Sequence, residues 1–378
     1  MGRITTVVIL LLTFTAWPLL AGPADCLYEI QAEGEAGRTV LRTVGYALHR
    51  AGLLAAPLHD LQQGGRTWSS LRLLSTARRP DHQTLRASFT IDAVALIDAE
   101  RNLAVLRSAA LPACGAGVGD LPAKDAAVTG LRHSRGYGSP LFETTLERPV
   151  ILPSGVAVMR FEIADGSSAP AGFLLDDGGR LVGSILPRAA GADRFRAAAV
   201  DLPPDLIAAA QAAPGRPPET ILSAGVVPVR DTASMLLATA LVVDRRESPE
   251  TVLACLAAVE ERTGEFPGLL LQRGAVEFDR GNLPGAIADF KAAVAAAPDE
   301  HLAYYNLGVS LGADGRYNAA AEAFRSALRL IPDDPRTLYN LAVALAAANR
   351  HDEAVVLYTD LSRVDPALAA DLKALIGL

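Results

Sequence analysis

The sequence predicts a multidomain chain in which an all-β region is followed by an all-α solenoid of repeats. Two observations carry this. In "TLRASFTIDAVALIDAERNLAVLRS", residues 84–108, apolar and polar side chains alternate as in half-buried strands, pause at Asp98-Ala-Glu-Arg, and resume at Leu103. Far downstream, Pro298, Pro332 and Pro366 stand 34 residues apart, a spacing of helix-pair repeats. At 378 residues and a formal charge of −7, the chain is long enough for two or three domains with cores of their own. The mild acidity, with no cluster of Lys and Arg, excludes nucleic acid as an expected partner.

The first segment reads "MGRITTVVILLLTFTAWPLLAGPADC". One arginine precedes an apolar run from Ile4 to Ala16, and small residues follow Trp17-Pro18. This is the layout of a secretory signal peptide over residues 1–24, with cleavage after Ala21 or Ala24. The run is short, dotted with threonine and broken by Pro18, so no stable membrane span is expected after cleavage. Pro23 stands where a lipid anchor would need cysteine. The expectation is a secreted or periplasmic protein.

Three cysteines follow. Cys26 and Cys114 both fall in the β region, and an oxidising compartment lets them pair. Cys255 sits among Leu253, Leu256 and Ala257 and reads as a buried, inert thiol. No Cys-x-x-Cys or His-x-x-x-His spacing occurs, so neither a metal nor a cofactor is expected.

Residues 27–200 read as short strands throughout. "GVAVMRFEIA" and "GFLLDDGGRLVGSIL" continue the style, with a hairpin turn at Asp177-Gly178-Gly179. Residues 201–230 form a proline-rich linker around a short alanine-rich helix. Residues 231–266 read as a helical connector or cap: Asp231 caps a helix running to Val243, and Ser248-Pro249-Glu250 opens another. Residues 267–378 hold the repeats.

Within each repeat several positions recur in one register. Alanines fall at Ala286, Ala320 and Ala354, aromatics at Phe290, Phe324 and Tyr358, and small residues at Gly274, Gly308 and Ala342. Small residues let paired helices approach, the aromatic fills the gap between repeats, and the proline stops each second helix. The pattern resembles three tetratricopeptide repeats followed by an end helix. That resemblance implies a peptide-binding groove lined by the first helix of each repeat: Leu271, Leu302, Tyr305, Val309, Tyr339 and Val343, with Asn306 and Asn340 beside it. Only Arg336 approaches a basic clamp, so the groove is apolar and aromatic. It suits an extended hydrophobic protein or peptide segment, or the chain's own first domain. The alternative is that the same residues are inter-repeat core.

Three segments of the β region, taken together, resemble trypsin-like serine proteases, particularly the bacterial HtrA-like members, and stand in that family's order of His, Asp, Ser. "GYALHRAGLLAAPLHDL" resembles the stretch bearing the catalytic histidine and places it at His59. "DAERNLAVLR" resembles the aspartate strand and places Asn102 there. "SAPAGFLLDDGGRLVGSI" resembles the nucleophile segment and places Pro170 at the serine, with Ala171 replacing a glycine of the oxyanion turn. The resemblance implies a chymotrypsin-like double β-barrel. It also implies lost chemistry, because proline has no nucleophilic oxygen and asparagine does not stabilise an imidazolium as a carboxylate does. Rescue would need Ser167 or Ser168 as nucleophile and Asp98 in place of Asn102. Without partners, His59 is a residual polar residue between the barrels, and the neighbouring Asp60 is a solvated strand residue. The resulting reading is an exported pseudoprotease that serves as an interaction scaffold, whose cleft still holds an extended peptide. The alternative is a divergent serine endopeptidase using His59 with Ser167 or Ser168.

Overall fold

The computed structural model describes residues 26–33, 39–48, 52–62, 70–75, 88–111, 117–132, 141–163, 172–188, 192, 195–223 and 226–376. The expected signal peptide lies outside them. Among the described residues no helix is long and apolar enough to cross a membrane.

Seven strands form the first sheet: β1 (Leu27–Glu33), β2 (Thr39–Ala47), β3 (Leu53–Pro57), β4 (Ser70–Ser75), β5 (Ser88–Thr90), β6 (Ala93–Asp98) and β7 (Leu103–Arg107). They pair antiparallel in the order β5-β4-β1-β2-β3-β7-β6. Only Ile91 and Asp92 separate β5 from β6, so the two edges of the sheet are borne by one bent stretch and the sheet curls round on itself. Ile91 N–H donates to Leu71 O and Asp92 N–H to Arg107 O across that bend. A single helical turn, α1 (Leu58–Leu61), follows β3.

The second sheet holds β8 (Ala127–Arg132), β9 (Leu141–Thr145), β10 (Val150–Ile151), β11 (Ala157–Glu162), β12 (Gly172–Leu175), β13 (Leu181–Ile185) and β14 (Arg196–Asp201). Their order is β10-β11-β14-β13-β12-β8-β9, again antiparallel. It too curls. Leu146 bridges Phe161, and the Thr144 hydroxyl donates to Glu162 O at 2.7 Å, bringing the end of β9 to β11. Strands β3 and β13 are buried along their whole length, whereas β1 alternates. The reason is position: β3 and β13 lie where the sheets meet. There Phe173, Leu175 and Leu181 pack with Val44, Tyr46, Leu53, Ala55, Leu103 and Val105 in one core.

The proline-rich stretch is packed on the first sheet. It carries α2 (Leu206–Ala212), and the Arg107 guanidinium donates to the carbonyls of Ala210, Gln211 and Ala213 at that helix's end. Arg216 bridges Val94, and Ile221, in a 3-10 turn over Pro218–Leu222, is buried.

Next comes α3 (Ala233–Val242), with eight of its ten residues buried. A helix apolar on all sides must be covered on all sides, and this one lies between β11 and β14 on one flank and α4 (Pro249–Thr263) on the other. Its cap corrects the sequence reading. Thr232, not Asp231, accepts the Met235 N–H, because Asp231 closes a 3-10 turn over Val229–Asp231. Ser248 and Pro249 do open α4, though the serine hydroxyl makes no capping bond.

Three helix pairs follow: α5 (Pro267–Asp279) with α6 (Leu283–Ala296), α7 (His301–Ala313) with α8 (Tyr317–Leu330), and α9 (Pro335–Ala347) with α10 (His351–Val364). Helix α11 (Pro366–Ile376) closes the array. Ala286, Ala320 and Ala354 are fully buried. A Cβ added at Gly274 would meet the Phe290 ring at 2.8 Å, and one at Gly308 the Phe324 ring at 2.6 Å. These positions need glycine because an aromatic ring occupies the space of a side chain.

The β region and the array share one continuous core, running from Leu58 and Val158 through Leu237 to Leu256 and Leu269. Arg148 adds a bidentate ion pair to Glu300, at 2.8 and 2.6 Å, and Glu300 also caps α7 through Leu302 N–H. Substituting Gly308→Val is expected to overpack the Phe324 ring and cost about 1–3 kcal/mol. A lowered urea midpoint of the helical circular-dichroism signal checks it.

Candidate functional site

Two of the residues singled out in the β region, His59 and Asn102, meet where the two sheets do. Asn102 lies in the turn between β6 and β7, fully buried, with φ at 49°. Asparagine tolerates this left-handed backbone better than most residues. Its side-chain Oδ1 accepts the backbone N–H of His59 at 2.7 Å, and its Nδ2 donates to Ile185 O at 2.9 Å. Its own carbonyl accepts Leu58 N–H at 3.0 Å and the Ser184 hydroxyl at 3.2 Å. One buried residue therefore ties α1 to the turn of the first sheet and to β13 of the second. The carboxamide is used at both ends, with its donor and acceptor sides fixed by their partners.

His59 and Asn102 are thus brought together, but through the histidine's main chain. Among the described residues the imidazole has no hydrogen-bond partner. Burial, and then the positive charge of Arg230, hold its pKa below the ordinary value, so it is neutral at pH 7. Asp98 is engaged elsewhere: its carboxylate accepts the Arg101 N–H at 3.0 Å and pairs with that guanidinium at 3.1 Å. Ser167, Ser168, Pro170 and Ala171 lie outside the described residues, as does Cys114. Cys26 is disulfide-bonded. Cys255 is a free, half-buried thiol whose pKa burial pushes up.

Asp60 corrects an expectation. It sits in α1, not on a strand, and it is partly buried, accepting the Thr43 hydroxyl. Burial raises its pKa to about 6, against the opposing effect of that hydrogen bond. Nothing in the sequence signals Thr43, Ser184 or Gln62 at this site. Hydroxyls and amides are recruited by what lies opposite them across strands distant in sequence, and no local spacing encodes that. Among the described residues no cluster of His, Cys, Asp or Glu could hold a metal ion.

In the array, Leu271 lies on α5, Leu302, Tyr305 and Val309 on α7, and Tyr339 and Val343 on α9. All but Leu302 pack, half-buried, against the core of the array; Leu302 is exposed. Tyr305 is the best held. It stacks on His301, meets the Phe324 ring edge-on with centroids 5.9 Å apart, and its hydroxyl accepts the Asn340 amide at 3.0 Å. Burial raises its pKa. Arg336 is exposed nearby.

The chain is thus of the class that joins a β-rich region to an array of stacked helix pairs. Two tetratricopeptide-repeat family models match it, over residues 271–335 and 312–376, and its C-terminal region consists of tetratricopeptide repeats. Several solved structures are similar to part of the chain. YrrB, described as a TPR protein with an unusual peptide-binding site, is 18% identical, with a TM-score of 0.35, covering 38% of this chain and 75% of its own. MamA from Desulfovibrio magneticus is 20% identical over 36% of this chain and 78% of its own, at 0.35. A thermophilic TPR protein of Thermus thermophilus is 15% identical over 39% and 84%, at 0.34. No curated protein matches the chain.

Two outcomes test the buried site. Asn102→Asp removes the donor facing Ile185 O, so the variant is expected to lose about 1–3 kcal/mol at pH 7.5. Part of this should return at low pH, where a protonated carboxyl donates again; urea midpoints at both pH values check it. Asp60 binds its proton more tightly folded than unfolded, so its burial costs stability above pH 6 and not below about pH 4. Asp60→Asn should therefore raise the melting temperature at pH 8, by an amount that shrinks toward pH 4.

Proposed function

We propose that the protein is an exported interaction scaffold or adaptor, built from a catalytically inactive trypsin-like domain and a peptide-binding tetratricopeptide array. Asn102 carries the first half of this reading. It stands where the protease resemblance places the catalytic aspartate, yet its carboxamide is consumed by main-chain groups of His59 and Ile185. A triad needs a carboxylate that receives the imidazole N–H, fixes its tautomer and stabilises the imidazolium. Here burial, and then the charge of Arg230, hold the His59 pKa below its ordinary value, which disfavours the imidazolium that general-base catalysis must form. With proline at the nucleophile position, the two-barrel frame is retained as structure and the hydrolysis is lost.

The second half rests on the array. Tyr305 and Tyr339 are half-buried against the core of the array and Leu302 on α7 is exposed, with the amides of Asn306 and Asn340 on the same helices as the tyrosines. Rigid aromatics flanked by amides suit an extended apolar segment, with the amides satisfying its main chain. The partner is a protein or peptide, met in the periplasm or outside the cell; no cofactor or metal takes part.

Fluorophosphonate labelling of the folded full chain tests the first half. No labelled serine is expected, and labelling lost on His59→Ala would establish a live hydrolase. For the second half, wild type screened against a peptide library should select extended apolar sequences. Tyr305→Ala/Tyr339→Ala should weaken them at least about tenfold with helicity unchanged. Equal binding by the double variant would reject the groove.

A further inference from the structure

We propose that residues 226–243 are a cis occupant of the β region: a strap and helix that fill the seam beside His59, exclude an external polypeptide from it, and lock the β region to the array. The inference rests on contacts within the chain and goes beyond the scaffold reading, in which the seam itself was expected to hold a peptide.

The strap is gripped as a bound peptide would be. Gln62, just after α1, accepts Val229 N–H at 3.3 Å and donates to Val227 O at 3.5 Å, so one side-chain amide holds the main chain on both sides of the extended Pro228, where the 3-10 turn begins. The Val229 side chain is fully buried, in a core with Leu58, Leu61 and Ile221, while Val227 is exposed. Arg230 follows, and its charge adds to the burial that lowers the His59 pKa.

The helix that continues the strap is clamped at both ends by the β region, each time with the charge that end prefers. At its N-terminus the Glu100 carboxylate accepts Ala233 N–H at 3.3 Å and Ser234 N–H at 3.0 Å, and the Ser234 hydroxyl returns a bond to Glu100 O. At its C-terminus the Arg160 guanidinium donates to Leu241 O at 3.1 Å. An anion at the first turn and a cation at the last both stabilise a helix dipole. Glu100 belongs to the turn between β6 and β7 that also holds Asn102, and Arg160 lies on β11, so α3 bridges the two sheets. Val243 then bridges Ala192. The other flank of α3 is the floor on which α4 and the repeats are built. Releasing the strap would free the seam and uncouple the domains together.

The experiment uses the full chain and a fluorescein-labelled synthetic peptide of residues 226–240. In the wild type, amides of 226–243 should exchange with deuterium as slowly as those of β11 and β14, and the peptide should not bind. In Gln62→Ala/Glu100→Ala, exchange across 226–243 should quicken at least about tenfold while α6–α10 are unchanged. The peptide should then bind, and its Val229→Asp form should not. Fast exchange of 226–243 in the wild type overturns the proposal without reference to any variant. So does peptide binding that is equal in wild type and variant. Apolar-peptide selection by the array is a separate readout, so failure of the latch and failure of the groove are distinguishable.

Discussion

Helix α3 is apolar on every side, and a helix of that kind has no stable existence unless two other bodies cover it. Much of the architecture follows from that one requirement. The β region supplies one cover with β11 and β14, and α4 with the repeats behind it supplies the other. Because hydrophobic burial is non-directional, the helix would tolerate some sliding between its covers. Glu100 and Arg160 remove that freedom by fixing its two ends to two different sheets. The chain thereby gains an inter-domain contact that is a shared core, unlike the more polar and mobile interfaces common between domains.

The same economy shows at Asn102. A buried amide in a left-handed turn is costly to place, and each of its polar atoms must find a partner. Here every one does, and the partners belong to α1, β13 and the turn itself. The carboxamide oxygen takes the His59 N–H and its nitrogen gives to Ile185 O, so the residue joins the two sheets.

The array shows a complementary logic. Tyr305 is fixed by the Phe324 edge, the His301 face and the Asn340 amide, so its ring is presented with little rotamer freedom left to lose. Half-burial leaves one face of such a side chain packed between repeats and the other at the surface. Glu300 links this array to the β region by capping α7 while pairing with Arg148.

The repeat region was legible because its determinants are local and periodic. Proline stops a helix wherever it stands, and small and aromatic positions recur with the repeat, so both classes were legible from spacing; that each ring fills the space over the glycine of its own pair, Phe290 over Gly274 and Phe324 over Gly308, was not. Strand character was legible for the same reason, through alternation along 84–108. What no spacing encodes is which surfaces meet. Asp60 read as solvated because its neighbours in sequence say nothing of Thr43 across the sheet. Residues 201–230 read as a linker because proline content reports local conformation, not the packing of Ile221. Glu100, Gln62 and Arg160 carry no signature of the helix they hold. Periodicity in the sequence determined the strands, the helix pairs and the small-to-aromatic register. Only the tertiary structure decided that Val229 packs on α1, that α3 packs on β11 and β14, and that Asn102 serves the main chain, because all depend on groups far apart in sequence meeting in a buried space where polar atoms need partners.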